Sequence, residues 1–130
     1  MAYEYCEVFG KDKVRELYQD SRIKSESSKI RYITFYEKLE DNTELIHGSY
    51  HRRLLRSNSR DLGLKLVLVN DGKKEDIIYL KGLEKSFSFL DDLKSGCQNL
   101  DDSKGKEVII YRMGNQLMGI SSNFEKDKEE

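Results

Sequence analysis

Hydrophobic and polar positions alternate along this chain with two different periods, and the changes between them mark out its elements. Residues 11–20 (KDKVRELYQD) carry apolar side chains at helical spacing, and so do residues 83–95 (LEKSFSFLDDLKS). Each stretch predicts a short amphipathic helix, the second of them ended by Gly96. Residues 21–29 (SRIKSESSK) are polar and rich in serine, which predicts a loop.

Six further stretches follow the two-residue period of β-strands and fall into three pairs. Their ranges are 30–39 with 44–53, 64–69 with 77–81, and 107–113 with 116–121. Asp41-Asn42, Asp71-Gly72 and Gly114-Asn115 stand between the paired stretches, where tight turns are expected. The sequence therefore predicts an α+β domain in which two short helices pack on an antiparallel β-sheet built from hairpins.

Length and composition indicate a single folded domain. The chain has 130 residues, of which 37% are hydrophobic and 36% charged, and we place the domain at residues 1–124. Residues 125–130 (EKDKEE) contain no apolar side chain and predict a disordered charged tail. No signal-peptide pattern is present and no apolar run approaches the ~20 residues of a membrane span, so we expect a cytoplasmic protein without a membrane partner (host cytoplasm if viral). Cys6 and Cys97 are expected to be free thiols.

One stretch breaks the even mixture of charges. The chain as a whole holds 23 Lys+Arg and 24 Asp+Glu, but residues 45–60 (LIHGSYHRRLLRSNSR) contain no acidic residue. Their basic members are His47, His51, Arg52, Arg53, Arg56 and Arg60. Because the planar arginine side chain donates to phosphate and stacks on bases, this arginine block predicts an anion-binding surface.

The first predicted hairpin adds aromatic rings to this surface. If Asp41-Asn42 forms a two-residue turn, the register places a basic and aromatic set on one face of the hairpin. That set is Tyr32, Tyr36, Lys38, His47 and His51, with Arg31 and Arg52 paired at the open end. In single-stranded nucleic acid, bases can stack on tyrosine rings while arginine and lysine side chains contact the phosphates. The pattern therefore favours a single-stranded nucleic acid as ligand, DNA before RNA. The same residues also suit ordinary strand packing, and a slip of one residue exchanges the two faces.

The first strand also resembles a known family. Lys29-Ile30-Arg31-Tyr32-Ile33 has the basic and aromatic pattern of the PC4-like (whirly-type) single-stranded DNA-binding proteins, and Ile77 to Gly82 resembles their last strand-to-helix junction. The resemblance implies a homodimer that grips single strands through its sheets, with Lys29, Arg31 and Tyr32 at contact positions. The N-terminal helix and the hairpin at 107–121 depart from the small core of that family.

Together these patterns predict a nucleic-acid-binding protein that is not an enzyme and uses no cofactor or metal. The predicted contact residues are Lys29, Arg31, Tyr32, Tyr36, Lys38, His47, Tyr50, His51, Arg52, Arg53, Arg56 and Arg60. Tyr50 falls on the opposite, largely apolar face of the hairpin in this register. His47 and His51 on one strand would lie about 13 Å apart, too far to share a metal ion.

Two alternatives stay open. A small protein-binding inhibitor or adaptor, for example one encoded by a phage or virus, could use Tyr50, Arg52 and Arg53 as interface anchors. A metal-independent nuclease could use His47 or His51 as a base beside an arginine, provided that two proton-transfer groups converge on one phosphate.

Overall fold

The computed structural model describes residues 4–51, 61–71 and 74–124, and in these residues it shows one curled sheet with two helices. The elements are β1 (Glu4–Tyr5), β2 (Glu7–Val8), α1 (Lys11–Tyr18), β3 (Ile23–Lys38), β4 (Glu44–Gly48), β5 (Asp61–Val69), β6 (Glu75–Lys81), α2 (Leu83–Asp92), β7 (Glu107–Met113) and β8 (Gln116–Ser122). The strand order is β1-β6-β5-β3-β7-β8-β2, with β4 also paired to β3. The predicted α+β class is confirmed.

The long strand β3 is the centre of the sheet. Its first half, Ile23 to Lys29, pairs with β7, and its second half, from Lys29 onward, pairs with β5. The prediction of a loop over residues 21–29 is therefore wrong for residues 23–29. Pairing with β7 holds this polar segment in a strand, although its residues have a weak local preference for β structure. A turn precedes the strand, where the Arg22 side chain and backbone donate to Asp20 and lower the pKa of that carboxyl to about 2.

A short N-terminal segment joins the two edges of the curled sheet. β1 pairs parallel with β6, β2 pairs parallel with β8, and one residue, Cys6, separates β1 from β2. The sheet is therefore mixed, and the prediction of a purely antiparallel sheet is wrong in this detail. The sequence does not reveal β1 and β2, because a strand of two residues is too short to show a periodic pattern. Cys6 is buried, and both it and Cys97 are free, as predicted.

The main core fills the inside of the curl. Phe89, Leu90 and Leu93, at the end of α2, pack with inward-facing side chains of the strands, among them Phe35 and Leu66. Burying each such side chain stabilises the fold by about 1.5–3 kcal/mol. Both predicted helices are present, but α2 ends before Gly96, with Lys94 rather than a glycine in the left-handed region at φ 58°.

A smaller cluster lies on the outer side of β7 and β8. There Val14 and Leu17 of α1 pack against Phe9 and Tyr111. The outer side of β3, β5 and β6 has no such helical cover in the described residues, which leaves it as the face where the predicted binding site falls. No helix in the part of the chain that the structure describes is long and apolar enough to cross a bilayer.

We expect Gly63→Ala to destabilise the protein by about 1–3 kcal/mol. Gly63 lies in β5 between Tyr36 and Lys81, and a Cβ at this position would come within 1.8 Å of the Leu80 carbonyl oxygen, so the backbone must shift. Urea denaturation measures the change. Gly96→Ala is the control, since nothing lies within 4 Å of its added Cβ, and equal losses in the two variants would contradict the prediction.

Candidate nucleic-acid interface

The β3–β4 hairpin follows the predicted register at one point and then departs from it. Phe35 lies opposite Gly48, as a two-residue turn predicts, but Tyr36 lies opposite Ile46 because His47 is an extra, bulged residue of β4. The turn is accordingly longer, with residues 39–43 connecting the strands and Asn42 in the left-handed region at φ 69°. The bulge changes which side chains share a face beyond Phe35.

The two tyrosines of β3 that the sequence treats alike have different environments. Tyr36 is fully buried (0% exposed), with its ring 4.8 Å from that of Tyr79, whereas Tyr32 is 39% exposed. Glu44 accepts hydrogen bonds from Lys65 (3.0 Å) and from the Tyr79 hydroxyl (2.9 Å), so the end of the hairpin lies over the outer side of β5 and β6. The prediction that Tyr36 stacks on bases is therefore wrong, and Tyr32 is the β3 tyrosine available to a ligand.

Two cations near the outer side of β3 are paired with carboxylates. Arg31 is exposed and forms an ion pair with Glu75, and Lys65 of the neighbouring strand pairs with Glu44. Arg31 and Lys65 therefore offer little uncompensated positive charge. Lys29 is exposed at the middle of β3, and Lys38 is half-buried at its end.

The two histidines are brought together instead of being spread along a strand. β4 ends at Gly48, whose φ of 71° turns the chain, and the His51 ring centroid lies 5.5 Å from that of His47. The predicted separation of about 13 Å is therefore wrong, because it assumed a continuous strand. His47 Nε2 also lies 2.9 Å from Oε1 of Glu37, which is almost completely buried.

Glu37 is the residue of this cluster that sequence reasoning misses. A regular hairpin would place it on the opposite face from His47, and only the bulge lets the two side chains meet. Nothing in the local sequence signals the bulge. The cluster of Glu37, His47 and His51 is called the histidine cluster below.

The chain is anchored to the body of the protein between His47 and His51, just before the arginines of residues 52–60. The Tyr50 backbone N–H donates to the Cys97 carbonyl (2.8 Å), and Ser49 Oγ accepts from the Leu100 N–H (3.2 Å). The Tyr50 ring packs edge-on against Phe87, 5.2 Å between centroids, on the apolar side of the hairpin. Tyr50 therefore serves as a packing anchor rather than as an open surface for a base.

The remaining predicted contacts lie outside the described residues. These are Arg52, Arg53, Arg56 and Arg60. Within residues 4–51, 61–71 and 74–124, no group of three or more His, Cys, Asp or Glu side chains, the histidine cluster included, is arranged so that it could hold a metal ion. The described site thus consists of the exposed Tyr32 ring, the cations beside it and the histidine cluster.

We expect Tyr36→Ala to cost about 3–5 kcal/mol of unfolding free energy, because it opens a large cavity under the hairpin. Tyr32→Ala is the matched variant and should cost about 1 kcal/mol or less, since its ring is partly in solvent. Urea denaturation of both variants measures the difference. Similar losses would mean that the two rings are buried to a similar extent.

Comparison with protein-family models, with curated proteins and with solved structures finds no match for this chain. These comparisons do not test the resemblance of residues 29–33 to the PC4-like proteins, which stays a prediction. The case for a function therefore depends on the residues themselves.

Proposed function

We propose that the protein binds single-stranded nucleic acid, DNA before RNA, through residues 45–60 and the neighbouring face of β3. The observation that carries the proposal is the position of the histidine pair, 5.5 Å apart, immediately before the arginine block. Ser49 and Tyr50 are hydrogen-bonded to residues 97–100 of the protein body, so the segment that leads into the arginines is held in place at these two residues. Histidine, arginine and an open tyrosine together supply phosphate and base contacts.

The arginines rather than the tyrosines carry most of the proposed affinity. Tyr36 is buried and Tyr50 packs against Phe87, so Tyr32 is the remaining aromatic contact of the predicted set. One base stacked on its ring contributes about 1–3 kcal/mol to the binding free energy. The four arginines of residues 52–60 can each neutralise a phosphate. For a single strand this gives a slope of log K against log salt of about −3, since each neutralised phosphate contributes about −0.7.

Features of the two helices support single strands over duplex. A helix that reads the major groove needs an exposed basic face. Two of the three basic residues of α1, Lys13 and Arg15, lie beside Glu16 and Asp12, and α2 (LEKSFSFLDD) carries more acidic than basic residues. Neither helix therefore has the charge that a duplex-reading helix requires.

A protein partner is the second candidate function, and one observation favours it. Leu45 and Ile46 of β4 are 39% and 49% exposed, and in the described part of the chain β4 pairs with β3 alone. An open strand edge with apolar side chains can add a strand from another chain. Because β1 and β2 pair with the middle of β6 and of β8, a homodimer built by strand pairing would use the edge of β4 as well.

The test is fluorescence anisotropy with labelled single-stranded DNA, single-stranded RNA of 2′-O-methyl nucleotides and matched duplex, at about 50 and 200 mM salt. We expect single strands to bind more tightly than duplex, and Arg52→Ala/Arg53→Ala to weaken binding at least tenfold and to make the salt slope shallower by about 1.4. The control Lys13→Ala/Arg15→Ala removes the same charge from α1 and should bind like the parent protein.

Equal weakening by both double variants would mean that total charge alone governs binding, which contradicts a local site. No binding to any probe at 50 mM salt would contradict the proposal as a whole. The β4 edge would then become the first surface to examine, with Ile46→Lys and size-exclusion chromatography reporting on self-association.

A further inference from the structure

The histidine cluster holds a pair of proton-transfer groups whose proximity nucleic-acid binding alone does not require. The His47 and His51 rings meet at 67° with centroids 5.5 Å apart, and Glu37 lies 2.9 Å behind His47. The Glu37 side chain is 9% exposed and that of His47 is 21% exposed, so the carboxylate is shielded while the imidazole reaches solvent. Convergence of two such groups is what a metal-independent nuclease requires and what the sequence could not show.

The carboxylate determines which nitrogen of His47 can exchange a proton. An ionised carboxylate only accepts hydrogen bonds, so Nε2 of His47 carries the hydrogen that Glu37 accepts. Nδ1 is then the nitrogen that can exchange a proton with a ligand. Glu37 also orients the ring, as a buried carboxylate does for a histidine in other hydrolytic sites.

We infer that His47 and His51 form a site that cleaves single-stranded RNA without a metal ion. This inference rests on the proposed function, because the cluster can act only on a strand that residues 45–60 bind. RNA is the substrate class because its own 2′-hydroxyl can act as the nucleophile, so the protein needs only to move protons. DNA lacks that hydroxyl and would be bound but left intact.

The reaction needs a base at the attacking oxygen and an acid at the leaving oxygen of one phosphate. Neutral His51 takes the proton of the 2′-hydroxyl while the 2′-oxygen forms a bond to phosphorus. The bond from phosphorus to the 5′-oxygen breaks, and that oxygen takes a proton from protonated His47, whose charge Glu37 balances. The products are a 2′,3′-cyclic phosphate and a 5′-hydroxyl. Nothing is oxidised or reduced, and proton exchange with water restores both rings.

The experiment compares a 5′-labelled RNA, the same sequence in DNA and the same sequence in 2′-O-methyl RNA, all in EDTA, on a denaturing gel. We expect cleavage of the RNA only, with cyclic-phosphate ends. His47→Ala and His51→Ala should each lower the rate at least 100-fold, in keeping with the usual contribution of a general acid or base. Lys13→Ala/Arg15→Ala, purified in the same way, should cleave like the parent protein.

Two further variants separate chemistry from folding. His47→Gln can still donate to Glu37 but cannot transfer a proton at neutral pH, so it should keep the parental Tm and lose activity. Glu37 is a positioning residue, and Glu37→Gln should lower kcat while KM and Tm stay unchanged. A merely structural role for Glu37 would move Tm and leave kcat of the folded protein unaltered.

The outcomes distinguish this inference from the proposed function. RNA that binds as tightly as DNA and stays intact would overturn the cleaving site and leave the binding proposal standing. Cleavage that persists in His47→Gln and His51→Ala would also overturn it, since the activity would belong to another group or another protein. Failure of all three probes to bind, with no cleavage, would overturn both.

Discussion

Backbone pairing along β3 is the constraint on which the rest of this structure depends. Its sixteen residues hydrogen-bond to β7 over the first half and to β5 over the second, with β4 added at the far end. Arg31 is an extra, bulged residue of β3 close to the point where pairing passes from β7 to β5, and such a bulge bends the strand and contributes to the curl of the sheet. The inner side chains and α2 then fill that curl. The position of β3 thus determines both the core and the placement of the side chains from which the candidate site is built.

The same strand generates the chemistry of the site through a mismatch with its neighbour. Between Phe35 and Tyr36, β3 advances by one residue while β4 advances by two, and His47 is the residue left over. Bulges redirect side chains and increase local twist. Here the redirected imidazole meets Glu37 on one side and His51 on the other. A regular hairpin with the same amino acids would keep these three groups apart.

The sequence predicted the parts of the fold whose periodicity is local. The strand at 107–113 and both amphipathic helices follow from alternation or helical spacing, because one face of each packs against the core. The segment 23–29 was unreadable in this way, since all of its serines and charges except the buried Ser28 face solvent and its strand pairing is with the distant β7. β1 and β2 are too short to show any period.

The candidate site was less predictable than the fold, for a related reason. Tyr32 and Tyr36 are equivalent in sequence, yet the hairpin end and Glu44 bury one of them and leave the other partly open. The meeting of His47 with Glu37 depends on a bulge that no local pattern encodes. Residue types indicated the kind of ligand, whereas burial and proximity were decided by side chains far away in the chain.

The joining of both sheet edges by residues 4–8 has a consequence for the order in which the chain can fold. Tyr5 pairs with Tyr79 and Glu7 pairs with Gly119, so β1 can pair only after β6 has been made, and β2 only after β8 has been made. Contacts of such long sequence separation form slowly and leave strand edges open in the meantime. A nascent chain that has not yet reached β8 therefore cannot hold both sheet edges together, and β2 lacks the pairing that it has in the folded protein.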